Sequence, residues 1–359
     1  MSGHPVPAWL DDLDPVVLDE AVRRMAACAH DGGRVVLAAH VGPDGDALGA
    51  ALALHVALSG LGARTVPTVG EEPLKVPASL ADLPGVRDLV TPSALPAAAD
   101  VDLLVTLDAA SPDRLGSVSK LLDEGVPTIV VDHHASSTAF GDLRLVAPNA
   151  AATVLIVDEL LHRLEVPLTA ELATCLYVGL VTDTGRFGHA STDRAAMEFG
   201  GRLLEVGVEH AELTRRLYGT SSLGELRLLG RALDRLTLVP DVSLVHTHLT
   251  AEELTEAGAG LEATESIIDV VRTVDVAEVA LFCKPAPDGT WRASLRSHGR
   301  VDVGAIAERL GGGGHAFASG FTGTGPVEDV VASVIDALPA RWAPGEDPAR
   351  SAPGEDSEV

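Results

Sequence analysis

Three short apolar runs, each ending in acidic or imidazole side chains, constrain the fold of this chain most strongly. They are Arg34–His40 (RVVLAAH), Val101–Asp108 (VDLLVTLD) and Pro127–His134 (PTIVVDHH). Apolar runs without alternation are typical of strands buried on both faces, so they predict a mostly parallel sheet flanked by helices. Since ligands bind outside the carboxyl ends of such strands, the polar ends are expected to form one site.

The length and the changes in pattern predict two domains, because 359 residues exceed the size of one typical core. The expected class is α/β: a larger N-terminal domain with a parallel sheet, joined by a helical connector to a smaller α+β domain. The expected segments are a lead-in helix at 1–31, a catalytic domain at 32–218, the connector at 219–240, a substrate-binding domain at 241–341 and a disordered acidic tail at 342–359.

The composition argues against several classes of partner. The formal net charge is −26 and aromatic residues make up 3% of the chain, so a basic groove or a stacking platform for long nucleic acid is not expected. The three cysteines are scattered and show no CxxC pair, which fits a reducing cytoplasm. We expect a cytoplasmic protein without a membrane segment, since no signal peptide or long apolar run is recognisable.

The first apolar run leads into the motif His40-Val-Gly-Pro-Asp44-Gly-Asp46. Such a loop can present one imidazole and two carboxylates to a small volume, a donor set that suits Mn²⁺, Mg²⁺ or Fe²⁺. The alternative interpretation is a polar loop in which Asp46 caps the following helix, but a cap would not explain His40 and Asp44.

The other polar ends add further candidate ligands. Asp108 ends the second run, and Asp132, His133 and His134 end the third, where their burial would be costly without a bound partner. Asp183 lies at the end of an apolar helix, where an acid is unfavourable unless it binds something. Together these motifs predict a metal centre.

The C-terminal part carries a second polar pattern. Arg296 and Ser297 lie in the run Ser294–Arg300, and Gly311–Gly314 precede His315. Four consecutive glycines let a backbone approach an anion closely, and an arginine fork matches a phosphate. Arg296 and the glycines Gly312, Gly313 and Gly314 therefore indicate an anion site, with a flexible glycine loop beside a solvated arginine as the alternative interpretation.

Taken together, these motifs resemble the DHH phosphoesterase superfamily and its associated C-terminal domain, over roughly residues 30–335. The resemblance implies two Mn²⁺ ions, with Mg²⁺, Co²⁺ or Fe²⁺ as alternatives, and a homodimer. It places one ion on His40, Asp44 and Asp108, and the other on Asp46, Asp108, His133 and Asp183. Asp132 would orient a histidine, and His134 would contact the scissile phosphate or aid proton transfer. Such ions, about 4 Å apart, would share one water as the nucleophile. In the C-terminal domain, the resemblance implies that Arg296, Ser297 and His315, with the loop Gly312–Gly314, bind substrate.

The resemblance leaves the substrate open. Stand-alone relatives of this layout resemble cyclic di-AMP phosphodiesterases, so hydrolysis of cyclic di-AMP to pApA and on to AMP ranks first. Cleavage of short oligoribonucleotides (nano-RNA) and of 3′-phosphoadenosine 5′-phosphate ranks close behind. A manganese pyrophosphatase is less expected, since a dense basic cluster is missing. A non-catalytic nucleotide sensor is also less expected, because all expected metal ligands are present. Base preference remains open.

Overall fold

The computed structural model describes residues 7–339 and divides into two compact units, one ending at Gly219 and the other beginning at Thr220. The expected acidic tail at 342–359 lies outside the described residues. Among residues 7–339, the structure contains no helix with the length and apolar character needed to cross a lipid bilayer.

A five-stranded parallel sheet forms the centre of the first unit, with the order β2-β1-β3-β4-β5. The strands are β1 (Arg34–Ala39), β2 (Arg64–Val69), β3 (Leu103–Leu107), β4 (Thr128–Asp132) and β5 (Leu143–Val146). The predicted parallel sheet is thus confirmed, and the three apolar runs form its adjacent central strands. Every residue of β3 and β4 is buried, as expected for strands covered on both faces.

Helices cover this sheet on both faces. They are α1 (Pro15–His30), α2 (Gly45–Gly60), α3 (Lys120–Asp123), α4 (Thr153–Arg163), α5 (Ala170–Asp183), α6 (Arg194–Glu205) and α7 (His210–Tyr218). A 3₁₀ segment at Pro112–Ser119 precedes α3.

Helices α2 and α5 pack unusually closely, and this contact positions the candidate site. A Cβ atom on Gly49 would lie 2.4 Å from the carbonyl oxygen of Cys175, and one on Gly45 would lie 2.4 Å from Oγ1 of Thr182. Glycine is therefore required for this approach. The start of α2 consequently lies against the end of α5, so the acids around Gly45 meet Asp183.

The second unit contains a six-stranded mixed sheet with the order β10-β11-β9-β8-β7-β6. Its strands are β6 (Thr237–Val239), β7 (Leu244–His248), β8 (Val279–Pro285), β9 (Trp291–Ser297), β10 (Gly313–His315) and β11 (Ala318–Gly323). Its helices are α8 (Leu223–Asp234), α9 (Ala251–Ala257), α10 (Ile267–Val271), α11 (Val303–Arg309) and α12 (Val327–Ala337). Helix α8, from the predicted connector, contributes the fully buried Leu228 and Ala232 to a core of this unit.

Candidate metal centre

The carboxyl ends of β1, β3 and β4 lie side by side, and the candidate ligands follow them directly. Three sets of side chains each place their possible ligand atoms within 4.8 Å of one another. The sets are His40 with Asp44 and Asp108, Asp46 with His133 and Asp183, and Asp108 with His133 and His134. The structure therefore gathers the seven residues singled out as a metal and phosphate centre.

His40 directs one ring nitrogen toward two carboxylates. Its Nε2 lies 3.7 Å from Oδ2 of Asp44 and 3.6 Å from Oδ2 of Asp108. Burial opposes charging of the ring, but the carboxylates of Asp108 and Asp44 outweigh it and raise the pKa of His40 to about 10. The Nδ1 atom lies 2.9 Å from the carbonyl oxygen of Val41, so Nε2 is the nitrogen available to a cation.

Asp44 is both a helix cap and a member of the cluster. Its Oδ1 accepts hydrogen bonds of 3.0 Å from the backbone amides of Asp46 and Ala47, while its Oδ2 faces His40. The alternative interpretation of Asp46 as the cap is therefore wrong, and so is the argument that a cap does not explain Asp44. The imidazolium of His40 overcomes burial and lowers the pKa of Asp44 to about 2.

Asp46 is completely buried and connects two helices. Its Oδ2 accepts from the amide of Thr153 at 2.6 Å, and its Oδ1 accepts from Val154 at 3.0 Å, at the start of α4. Burial, together with the charges of Asp108, Asp183 and Asp44, raises its pKa well above the usual value. An ionised Asp46 therefore needs a cation nearby.

Asp108 lies between the sets. Its Oδ2 faces His40, whereas its Oδ1 lies 3.6 Å from Nε2 of His133 and accepts from Oγ1 of Thr153 at 2.9 Å. Its φ of +57° is in the left-handed region, which costs a non-glycine residue about 1 kcal/mol or more. This backbone turn, immediately after β3, places the two carboxylate oxygens on opposite sides of the cluster.

His133 and Asp183 lie in the ligand set on the other side of Asp108 from His40. The Nδ1 of His133 donates to the carbonyl oxygen of Ala150 at 3.1 Å, which leaves Nε2 directed at Oδ2 of Asp183, 3.3 Å away. Burial is the main cause that raises the pKa of Asp183 to about 6, with His133 opposing it and Asp108 reinforcing it. A backbone acceptor on one ring nitrogen is the usual arrangement of a ligating histidine.

Asp132 holds His134 by a direct hydrogen bond. Its Oδ1 lies 2.7 Å from Nδ1 of His134 and 3.2 Å from the backbone amide of the same residue. Burial works against the charged ring, but this carboxylate raises the pKa of His134. This contact fixes the ring of His134, and the orienting function of Asp132 in catalysis stays a prediction.

Asp132→Asn is expected to reduce kcat about 10- to 100-fold without loss of Mn²⁺ binding, because it removes the anion that orients His134. Steady-state rates at saturating Mn²⁺, with metal content measured on the same samples, check this expectation. The exposed Asp123→Asn serves as the control. A normal kcat in the Asp132 variant would show that the pair has no catalytic function.

The donor set fits hard divalent cations. Four aspartates (Asp44, Asp46, Asp108 and Asp183) meet two imidazoles (His40 and His133), and no cysteine lies among them. Carboxylate oxygens with imidazole nitrogens are typical ligands of Mn²⁺, Mg²⁺ and Fe²⁺. Burial, and after it the neighbouring carboxylates, raises the pKa of Asp46, so its ionised form is favoured when a cation is bound nearby.

Binding of Mn²⁺ is expected to release protons. With pKa values of about 10 for His40 and about 6 for Asp183, the imidazole is protonated and the carboxyl mostly ionised near neutral pH. Ligation through Nε2 must displace the His40 proton, so affinity should rise about tenfold per pH unit from about pH 7 to 9. Calorimetry in two buffers of different ionisation enthalpy measures the released protons. A pH-independent affinity over this range would contradict this account of His40.

The predicted substrate residues lie in the second unit. Arg296 is the penultimate residue of β9 and pairs with Ala318 of β11. Its Nη1 donates to the carbonyl oxygen of Leu295 at 3.1 Å, and its Nε lies 3.6 Å from Oδ1 of Asp269. The hydroxyl of Ser297 donates to Glu278 at 3.0 Å and accepts from the amide of Gly299 at 3.0 Å. Gly312, Gly313 and Gly314 are exposed, and Gly313–His315 form β10. Ser297 therefore holds the turn after β9, a structural function that the sequence did not indicate.

Sequence reasoning also missed several groups at the metal centre. Thr153, the carbonyl of Ala150 and the guanidinium of Arg114 all contact candidate ligands. Backbone carbonyls leave no signal in a sequence, and Thr153 and Arg114 lie in segments without a recognisable metal-ligand pattern.

An acidic and imidazole cluster at the carboxyl edge of a parallel sheet, with a separate mixed-sheet unit, defines the class of metal-dependent phosphoesterases. The chain belongs to the DHH family: residues 34–180 match the DHH family N-terminal domain, and residues 245–341 match the DHHA1 domain. The resemblance stated from the motifs is thus confirmed, and the protein is a hydrolase that acts on phosphodiester bonds.

Two curated relatives and one solved structure are informative. The bifunctional oligoribonuclease and PAP phosphatase NrnA of Thermus thermophilus is 37% identical over 291 residues, 81% of this chain and 84% of that protein. The cyclic-di-AMP phosphodiesterase PdeA of Listeria monocytogenes is 26% identical over 72% of this chain and 39% of that protein. An exopolyphosphatase-related protein from Bacteroides fragilis has a TM-score of 0.84 and 25% identity, covering 91% of this chain and 96% of that chain.

Proposed function

We propose that this enzyme is a manganese-dependent phosphoesterase that hydrolyses short oligoribonucleotides and dephosphorylates 3′-phosphoadenosine 5′-phosphate. The observation that carries the proposal is the position of Asp108, whose two oxygens face His40 on one side and His133 on the other. The choice of substrates is supported by the 37% identity with a protein named for these two activities.

This order reverses the ranking from the sequence, which placed cyclic di-AMP first. The relative named for oligoribonucleotides and PAP is more similar than the one named for cyclic di-AMP, and it matches over most of its own length. Cyclic di-AMP hydrolysis to pApA and AMP is therefore the second candidate. The PdeA relative is the observation that favours it.

The ligand sets support two ions. His40, Asp44 and Asp108 would hold one Mn²⁺, and Asp46, Asp108, His133 and Asp183 would hold the other. When bound, such ions supply Lewis-acid activation of a water and neutralise charge on the phosphate.

The remaining residues of the cluster handle protons and orientation. Asp132 accepts the Nδ1 hydrogen of His134 and so fixes the orientation of this ring at the centre. Because the pKa of His134 is raised, its imidazolium form is favoured, so Nε2–H can give a proton to the leaving oxygen. The amide contacts at Asp46 and the Ala150 carbonyl at His133 keep these ligands in fixed orientations.

In the second unit we propose that Arg296 and the glycines at 312–314, followed by His315, bind the nucleotide. Among the residues that the structure describes, Arg296 contacts the carbonyl of Leu295 and, loosely, Asp269, so its fork can turn toward a phosphate. The homodimer stays a prediction.

A substrate panel with purified protein and Mn²⁺ tests the proposal. It compares pApA, longer oligoribonucleotides, 3′-phosphoadenosine 5′-phosphate, cyclic di-AMP, cyclic di-GMP and pyrophosphate. We expect the highest kcat/KM for dinucleotides and 3′-phosphoadenosine 5′-phosphate, and no turnover after chelation. A clear preference for cyclic di-AMP would support the second candidate, and lack of turnover with every substrate would support the nucleotide sensor.

A further inference from the structure

The guanidinium of Arg114 lies at the edge of the metal centre. Its Nη2 is 3.0 Å from Nδ1 of His40, on the side of the ring that faces away from the carboxylates. Arg114 itself is exposed to solvent, so this cation is open to an incoming ligand.

The backbone that carries Arg114 is firmly fixed. Its carbonyl oxygen accepts a hydrogen bond of 2.8 Å from Val41, the residue after His40. The next residue, Leu115, is fully buried. Gly116 has a φ of +51°, and a Cβ atom there would lie 2.2 Å from the carbonyl oxygen of Gly70. The side chain therefore extends from a rigid loop beside the first candidate ligand.

His40 cannot be a lasting partner of this guanidinium. The Nδ1 atom also lies 2.9 Å from the carbonyl of Val41. If Nε2 ligates a cation, the ring hydrogen sits on Nδ1 and is donated to Val41. An N–H group offers arginine no acceptor, so in the metal-loaded enzyme Arg114 is available to another partner.

The charges of the centre indicate what that partner is. Four ligand aspartates would balance the two divalent cations proposed above, and Asp132 is paired with His134. A phosphodiester and an attacking oxygen that loses its proton bring further negative charge, which the centre itself does not compensate. Arginine matches phosphate oxygens in a forked, two-bond geometry.

We propose that Arg114 binds a non-bridging oxygen of the scissile phosphate and stabilises its charge during hydrolysis. This inference rests on the proposed function, since it assigns a phosphate contact within the same site. It assigns a phosphate-binding cation to the first unit itself.

The test compares Arg114→Ala and Arg114→Lys with the exposed Arg87→Ala as a matched control. At saturating Mn²⁺, Arg114→Ala should lower kcat/KM for pApA about 100-fold or more, as for loss of one transition-state donor. The kcat/KM of Arg114→Lys should lie between the values of Arg114→Ala and the wild type, and the kcat/KM of Arg87→Ala should equal the wild-type value. Added guanidinium ion should partly restore the rate of Arg114→Ala.

Two binding measurements separate phosphate binding from support of His40. The Mn²⁺ affinity of Arg114→Ala should equal that of the wild type, whereas inorganic phosphate should bind its Mn²⁺-loaded form at least about tenfold more weakly. Wild-type rates in Arg114→Ala, or full recovery on raising Mn²⁺, would overturn the inference. If the wild-type protein binds phosphate but cleaves no nucleotide, the proposed function is wrong. The difference in phosphate affinity between the wild type and Arg114→Ala would still test the inference about Arg114.

Discussion

Asp108→Ala is expected to abolish turnover of every substrate, with a loss of at least about 10³-fold in kcat/KM. The reason is geometric: the two oxygens of this carboxylate face both ligand sets, so one substitution removes a donor from each. The same variant should bind fewer than two Mn²⁺ ions per chain. Steady-state kinetics combined with metal analysis of the same sample measures both effects.

The control for Asp108→Ala must separate loss of chemistry from loss of fold. Circular dichroism and the elution volume of the variant should match the wild type, because Asp108 contributes its side chain to the cluster rather than to a hydrophobic core. Asp123→Asn, on the exposed surface of α3, should retain full activity. Normal turnover by a folded Asp108→Ala protein would refute the shared ligand.

The second large effect concerns thermal stability. Mn²⁺ at about 1,000 times its dissociation constant should stabilise the protein by about 4 kcal/mol and raise Tm by roughly 10 °C relative to the chelated protein. The physical reason is that a bound cation offsets the burial of the Asp46 charge and its repulsion by the neighbouring carboxylates. Differential scanning calorimetry with chelator or Mn²⁺ checks this, and Asp108→Ala should lose most of the shift.

The pH dependence of the stability of the chelated protein follows from the titration of groups in the same cluster. Asp183 has a folded pKa of about 6, above its usual value of 3.8, so its contribution to stability is lost as the pH rises through about 6. His40 has a folded pKa of about 10, above its usual 6.5, so its contribution is lost between about pH 6.5 and 10. The Tm of the chelated protein should therefore fall from about pH 5 to 9, and the Mn²⁺ shift should grow. A chelated Tm that rises over this range would contradict the assigned pKa directions.

The central part of the fold was readable from the sequence because its strands are buried on both faces. The runs that became β1, β3 and β4 contain almost nothing but apolar residues, and their polar ends meet because parallel strands share one edge. The edge strands β2 and β5 were missed. They are partly exposed and mix polar with apolar residues, so they lack a continuous apolar run.

The details of the site depend on contacts that sequence spacing does not encode. Asp44, and not Asp46, caps α2, because the helix begins two residues earlier than the capping argument assumed. Asp46 instead binds the first amides of α4, more than 100 residues away in the chain. Arg114 and His40 likewise lie close together because the backbone of Val41 is hydrogen-bonded to the 3₁₀ segment, far away in the chain.

The most direct test of the account is a crystal structure of the Mn²⁺-loaded protein with anomalous data collected at the manganese edge. We expect two anomalous peaks about 4 Å apart, with Asp108 contacting both ions. His40 and Asp44 should complete one coordination sphere, and Asp46, His133 and Asp183 the other. A cluster without manganese, or ions bound only by other residues, would contradict the proposed metal centre.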